Sequence, residues 1–244
     1  MISVICVFND KNILDKFLMR SLKNQTKEYE LILLDNTNNK FKSAAMALNY
    51  GGKKAKGTYI MFVHQDIDLE YNDWLRDAEK ILDSLKNLGI AGIAGCSENK
   101  KLIIFTNIKD GIPAKVNNCG IKIKVPKIVQ TVDECLFIIP KSIFKKIQFD
   151  ENNCPNWHLY AVDYCLTIKR FHKNVFVIPL SLYHVSSADS FSNSYFLTLK
   201  KISKKHRKYF KKIYTTCGYW STNPIQRQST IILNYITQKY KKNK

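Results

Sequence analysis

Thr58-Tyr59-Ile60-Met61-Phe62-Val63-His64-Gln65-Asp66 begins as an apolar run and stops abruptly in three polar side chains. A short apolar run bounded by turn signals predicts a buried strand over 58–63. Upstream, Ile2 to Phe8 is a run of the same kind, followed by Asn9-Asp10, and Glu30 to Leu34 is another, followed by Asp35-Asn36-Thr37-Asn38-Asn39. Between these strands Ile13, Leu14, Phe17 and Leu22 recur at helical spacing, and Ala44 to Leu48 reads as helix. Downstream, Trp74, Ala78, Ile81, Leu82, Leu85 and Leu88 predict an amphipathic helix ended by Gly89, before a strand at Ile90 to Ala94. Strands alternating with helices imply a parallel α/β sheet in the first hundred residues. Residues 102–140 are more strand-rich and irregular.

In open α/β sheets, ligands bind beyond the carboxyl ends of the strands. Asn9-Asp10, Asp35-Asn36 and His64-Gln65-Asp66 each follow a predicted strand directly, so all three converge on one edge. Any one of them alone is an ordinary strand-to-loop transition. Asp10 reads equally as the cap of the helix through Ile13-Leu14. Gly51-Gly52-Lys53-Lys54-Ala55-Lys56-Gly57-Thr58 looks like a phosphate loop but lacks a Lys between Gly57 and Thr58, and it precedes a strand rather than following one.

The 244 residues, 45% hydrophobic, suit one α/β domain over 1–194 with a basic helical extension over 195–244 packed on or adjoining it. Of the 39 Lys and Arg, 13 lie beyond Asp189, where there is no Asp or Glu. Phe196, Leu199, Ile202, Tyr209, Phe210 and Ile213 fall near helical spacing there, among lysines. A basic amphipathic helix of this kind fits an anionic membrane surface, and equally a charged face over a docked helix. No nucleic-acid motif accompanies the charge, and the carboxylate clusters would repel phosphate, so nucleic acid is not an expected partner. Seven scattered cysteines, none spaced C-x-x-C, read as small buried side chains in a reducing compartment. The opening apolar run stops at Asn9-Asp10-Lys11, too soon for a signal segment, and no run has transmembrane length; a cytoplasmic, soluble or peripherally bound protein is expected.

From Ser3 to about Ser187 the residues resemble the family 2 glycosyltransferases, especially the bacterial branch linked to capsule and surface polysaccharide. Ser3-Val4-Ile5-Cys6-Val7-Phe8-Asn9 is similar to that family's opening strand, and Glu30 to Asn36 to its second; Asn49, Gly51, Ala55 and Gly57 fall at its usual spacing. In that register His64-Gln65-Asp66 stands on the D-x-D motif. Trp157 to Tyr164 resembles the segment bearing the catalytic acid pair, with Val162 in place of Glu and Asp163 at the Asp position. Tyr183-His184-Val185-Ser186-Ser187 resembles the short His-x-Ser segment.

The resemblance implies a GT-A fold, a mixed and mainly parallel Rossmann-like sheet flanked by helices, and an inverting transfer from a nucleotide-sugar, commonly a UDP-sugar, to a glycan or lipid-linked acceptor. It implies Asp66 and His184 as ligands of Mn²⁺ or Mg²⁺, the imidazole favouring manganese, and Asp163 as general base. It puts Phe8, Asn9, Asp10, Asp35, Asn36, His64 and Gln65 around the nucleotide. Leu48 stands where a basic residue commonly meets phosphate, and Lys53 or Lys54 is the substitute from the adjoining turn. Asp133-Glu134 approaches donor or acceptor, or is a strand-start pair of charges, and Trp157 and His158 are acceptor-side walls or core. The departures at Leu48, His64 and Val162 open a second reading, a nucleotide-sugar-binding module without catalysis.

Overall fold

In the computed structural model, which describes residues 1–98, 102–112, 115–117, 120–185, 191–229 and 231–232, the chain opens with β1 (Ile2–Phe8), then α1 (Lys11–Leu14) and α2 (Arg20–Lys23), joined by the π-helical turn Asp15–Met19. There follow β2 (Tyr29–Asp35), α3 (Ala44–Lys54), β3 (Tyr59–Val63), β4 (Ile67–Asp68), α4 (Trp74–Ser84), β5 (Leu88–Gly92) and β6 (Ala94–Cys96). The middle is a series of short strands: β7 (Ile104–Thr106), β8 (Ile108–Ile112), β9 (Lys115–Asn117), β10 (Lys127–Ile128), β11 (Thr131–Val132) and β12 (Leu136–Pro140). The chain continues through α5 (Lys141–Phe144), α6 (Tyr160–Arg170), β13 (Asn174–Val177), β14 (Leu182–His184), α7 (Asn193–His206), β15 (Lys212–Thr215) and β16 (Gly218–Ser221).

The central sheet has seven strands in the order β10-β13-β5-β12-β3-β1-β2. β1 lies parallel to both β2 and β3, and β12 runs antiparallel between β3 and β5. Side-chain alternation divides each inner strand between two cores. Ile60, Phe62, Phe137 and Ile139 point to the side covered by α3, α6 and α7, while Met61, Val63, Leu136 and Ile138 meet α4 and the first helices. Burial on both faces is why these strands read as continuous apolar runs rather than alternating ones.

Gly52 marks the closest approach of α3 to the neighbouring layer: a Cβ there would stand 2.3 Å from Phe144 Cζ. Helix propensity favours alanine by about 1 kcal/mol, but overpacking of this kind costs about 1–3 kcal/mol. Gly52→Ala is therefore expected to lower the urea midpoint, with its slope unchanged.

Two expected elements differ. α4 stops at Ser84, and Leu88 and Gly89 belong to β5, where Leu88 pairs with Asn174. The apolar spacing runs on because helix and strand feed the same core. In the extension, helix gives way after His206 to the antiparallel hairpin β15–β16. Gln130 fixes that change, its Oε1 accepting from Tyr214 N–H at 2.7 Å and its Nε2 donating to Lys212 O at 3.1 Å. The apolar face of α7, with Tyr195, Leu199 and Ile202, is consumed by the main core and is closed to lipid. Lys200, Lys201, Lys204, Arg207 and Lys208 remain exposed. Among the described residues no helix is long and apolar enough to cross a membrane.

Candidate functional site

β3 ends where its apolar run ends, and His64 is held there by its N–H, which donates to Cys135 O at 2.9 Å. Three residues on, β4 pairs antiparallel with β14 and sets His184 opposite Ile67. His64, Asp66 and His184 then gather, each offering one ligand atom within 4.8 Å of the others. Asp66 Oδ2 lies 3.6 Å from His184 Nε2, and Asp66 Oδ1 is buried without a hydrogen-bond partner. An unpaired buried carboxylate oxygen is costly, and a cation is the natural partner. One carboxylate and two imidazoles suit a first-row divalent metal such as Mn²⁺.

The second nitrogen of His184 is also engaged. β8 runs parallel to β14 with Asp110 in register with His184, and Asp110 Oδ1 stands 2.9 Å from His184 Nδ1. Burial lowers the His184 pKa, but Asp110 together with the charges of Asp66 and Asp133 outweighs it and holds the imidazole above its ordinary value. His64 goes the other way: burial dominates and keeps its ring neutral, against the pull of Asp66. His64 Nε2 meets the Tyr160 hydroxyl at 3.2 Å.

This cluster borders a cleft of about 430 Å³ at the carboxyl edge of the sheet. Phe8, Asn9, Asn36, His64, Gln65 and Asp66 all line it, as does Leu48 in its apolar wall; Asn39, Glu134, Trp157 and Tyr160 complete the far side. Gln65 ties two strand ends together, its Oε1 accepting from the N–H groups of Asn9 and Asp10 at 2.9 and 3.1 Å. Asn36 is buried and fixed to Phe41 through both its amide atoms.

Other expected residues stand elsewhere. Asp10 caps α1 through N–H bonds from Asn12 and Ile13. Asp35 is exposed, and its Oδ1 accepts from the Thr37 N–H and hydroxyl, which hold the carboxylate below its ordinary range. Lys53 is misplaced by the sequence reading: α3 runs to Lys54, against the strand direction, which carries Lys53 to the opposite edge of the sheet. Asp163 does not face the cleft. It is buried, with Lys205 Nζ 2.6 Å from Oδ2 and His206 Nε2 2.8 Å from Oδ1. Ser186 and Ser187 lie outside the described residues. Asp110 and Tyr160 carried no signal in the sequence, because strand pairing and helix packing alone bring them to the cluster. A second hollow, at the amino end of β3 beside Lys141 and Lys145, gathers no comparable set of groups.

Glu134 closes one side of the cleft. It is half-buried at the cleft wall, and its Oε1 accepts from Ala161 N–H at 3.2 Å. Burial and the neighbouring Asp133 charge push its carboxyl up to about 8, against the lowering effect of backbone N–H groups at the start of α6.

Comparison with known proteins accords with this arrangement. Residues 3–214 match the Glycosyltransferase like family. GalNAc-T7, solved with UDP, GalNAc and Mn²⁺, superposes with a TM-score of 0.59 at 14% identity, over 83% of this chain and 47% of its own. Staphylococcus aureus TarS 1-349 in complex with UDP-GlcNAc gives 0.57 at 15%, over 83% of this chain and 65% of its own. The mannosyltransferase PcManGT from Pyrobaculum calidifontis, with GDP-Man and Mn²⁺, gives 0.58 at 12%, over 86% and 65%. The chain thus spans about half to two-thirds of the length of these solved proteins, and the shared fold is GT-A. A search of curated proteins found no match. The family match runs from the first strand past α7 and into β15, and the chain belongs to the Glycosyltransferase like family.

Proposed function

We propose that this chain is an inverting, metal-dependent transferase that moves a sugar from a nucleotide-sugar donor, a UDP-sugar first, to a hydroxyl of a surface-polysaccharide or lipid-linked glycan. The observation that carries the reading is the His64, Asp66 and His184 cluster beside the cleft at the end of β3. A bound Mn²⁺ or Mg²⁺ supplies charge neutralisation for a departing diphosphate. In this chain Asp66 and His184 would hold that ion, with His64 beside them. Phe8, Asn9 and Asn36 supply the nucleotide side of the cleft, and Trp157 gives it an exposed aromatic wall of the kind that stacks on sugar rings. The complexes of GalNAc-T7 and TarS with UDP or UDP-GlcNAc, and of PcManGT with GDP-Man and Mn²⁺, support donor and metal alike.

The reading puts the protein in the cytoplasm, in keeping with the buried thiols of Cys6, Cys96, Cys135, Cys154 and Cys165, which form no disulfide. The exposed lysines of α7 offer electrostatic attraction to an anionic inner membrane face without insertion. The withdrawal of Asp163 favours the second reading, a nucleotide-sugar-binding module. Thermal shift with nucleoside diphosphates, with and without Mn²⁺, and nucleoside diphosphate release from a panel of nucleotide sugars separate the two. Binding with release supports the transferase; binding without release supports the module; neither overturns both.

Asp110 is expected to orient His184 for the ion, because a ligating imidazole needs its other nitrogen fixed. Asp110→Asn should weaken Mn²⁺ binding about 10–100-fold, read by titration calorimetry on the ligand-free protein.

A further inference from the structure

A single in-line displacement requires one group to take the proton of the acceptor hydroxyl. Asp163, where the family resemblance puts that group, is turned into the core and held by Lys205 and His206. Among the described residues lining the cleft, the carboxylates are Asp66 and Glu134. Asp66 belongs to the metal cluster. Glu134 stands just before β12, whose Leu136 pairs with Val63, so it lies at the same sheet edge as His64.

Its placement is built rather than incidental. Leu159 adopts a left-handed conformation, with φ of 63°, immediately before α6. A bulky non-glycine residue is strained there. The turn aims the first N–H groups of α6 at the Glu134 side chain, and Leu159 itself provides no side-chain cap. Tyr160 then spans the gap to the metal cluster, its hydroxyl lying 3.2 Å from His64 Nε2 and 3.5 Å from Glu134 O. Glu134 therefore sits between the exposed wall at Trp157 and the residues that face the diphosphate.

We propose that Glu134 is the general base of the transfer. The assignment rests on the transferase reading above. The acceptor oxygen bonds to the anomeric carbon as its proton passes to the Glu134 carboxylate. The bond from that carbon to the diphosphate breaks, its electron pair leaves with the nucleoside diphosphate, and Glu134 returns the proton to solvent. The titratable groups around it are Asp133, itself held by the Thr216 hydroxyl at 2.6 Å, the hydroxyls of Tyr160 and Tyr195, and the buried thiols of Cys154 and Cys165. An apolar surround with one neighbouring negative charge poises a carboxyl for proton transfer near neutral pH.

Glu134→Gln separates this role from mere capping of α6, since the amide oxygen still accepts from Ala161 N–H. The variant is expected to melt at or above the wild-type temperature and to bind UDP in Mn²⁺ as the wild type does. It should lose nucleoside diphosphate release from nucleotide sugars by about 10²–10⁴-fold. Glu134→Asp should retain part of the activity, with the rising limb of its pH profile displaced. A Gln variant that turns over within a few fold of wild type overturns the proposal. So does one that melts several degrees lower or no longer binds UDP, because Glu134 is then only a cap. Wild-type protein that binds UDP yet releases nothing from any donor overturns the transferase reading itself, and the base falls with it.

Discussion

Asp66→Ala is expected to reduce Mn²⁺-dependent release of nucleoside diphosphate by about 10³-fold or more, since a metal clamp on a departing phosphate is worth several kcal/mol. Asp66 supplies the one carboxylate of the His64, Asp66 and His184 cluster, and its Oδ1 has no protein partner. Two neutral imidazoles alone hold a hard divalent ion poorly. Calorimetry with Mn²⁺ should show binding lost together with turnover. The ligand-free variant should remain folded, because the buried Oδ1 has no hydrogen bond to lose and Oδ2 makes only the 3.6 Å contact with His184. An Asp66→Ala variant that binds Mn²⁺ and turns over normally would sink the proposed site.

Asp163→Ala is expected to act on stability instead, costing about 3–5 kcal/mol in urea unfolding, the usual penalty for removing one partner of a buried ion pair. Lys205 Nζ reaches both Asp163 Oδ2 at 2.6 Å and Asp150 Oδ2 at 2.9 Å, and His206, fully buried, meets Asp163 Oδ1 at 2.8 Å. Alanine at 163 leaves the Lys205 charge and the His206 ring without that carboxylate. If Asp163→Ala kept wild-type stability and lost only transfer, the sequence expectation of a general base would be restored. The same network sets the acid limit. Burial alone would raise the Asp150 carboxyl, yet hydrogen bonds from Asn153 and Lys205 bring it down to about 2. A carboxyl depressed in the folded state stabilises the fold above its ordinary value of 3.8, and that contribution is lost as pH falls toward about 2. Unfolding in that window should be shallower in Lys205→Met.

The strands β1 and β3 were legible because a strand buried on both faces leaves a plain apolar run and a sharp polar stop, and β2, a half-buried edge strand, carries the same apolar run and stop. For the same reason the triplet His64-Gln65-Asp66 marked the site edge. Lys53 is hidden by helix length: the apolar pattern ends at Leu48, but α3 continues to Lys54 and carries residue 53 toward the other edge. Asp163 is ambiguous in sequence for a different reason. A carboxylate among apolar helix neighbours looks alike whether it serves chemistry or a buried ion pair, and its partners lie 42 and 43 residues away. Asp110 is legible only through the pairing of β8 with β14. Local periodicity holds no trace of such contacts.

The docking of α7 changes how the basic tail can be studied. A cut at residue 194 would remove Leu199 and Ile202 from the core and strip Asp163 of both its partners. Such a truncation would report collapse of the fold, whatever the tail does at a membrane. The informative edit is on the outer face alone: exchanging exposed Lys200 and Lys204 for Gln alters the surface field and leaves the inner face of the helix in place, whereas Lys201 also donates to Asn152 O at 2.9 Å. The cationic character of the tail and the integrity of the fold are carried by opposite sides of one helix, and only the outer side is free to vary.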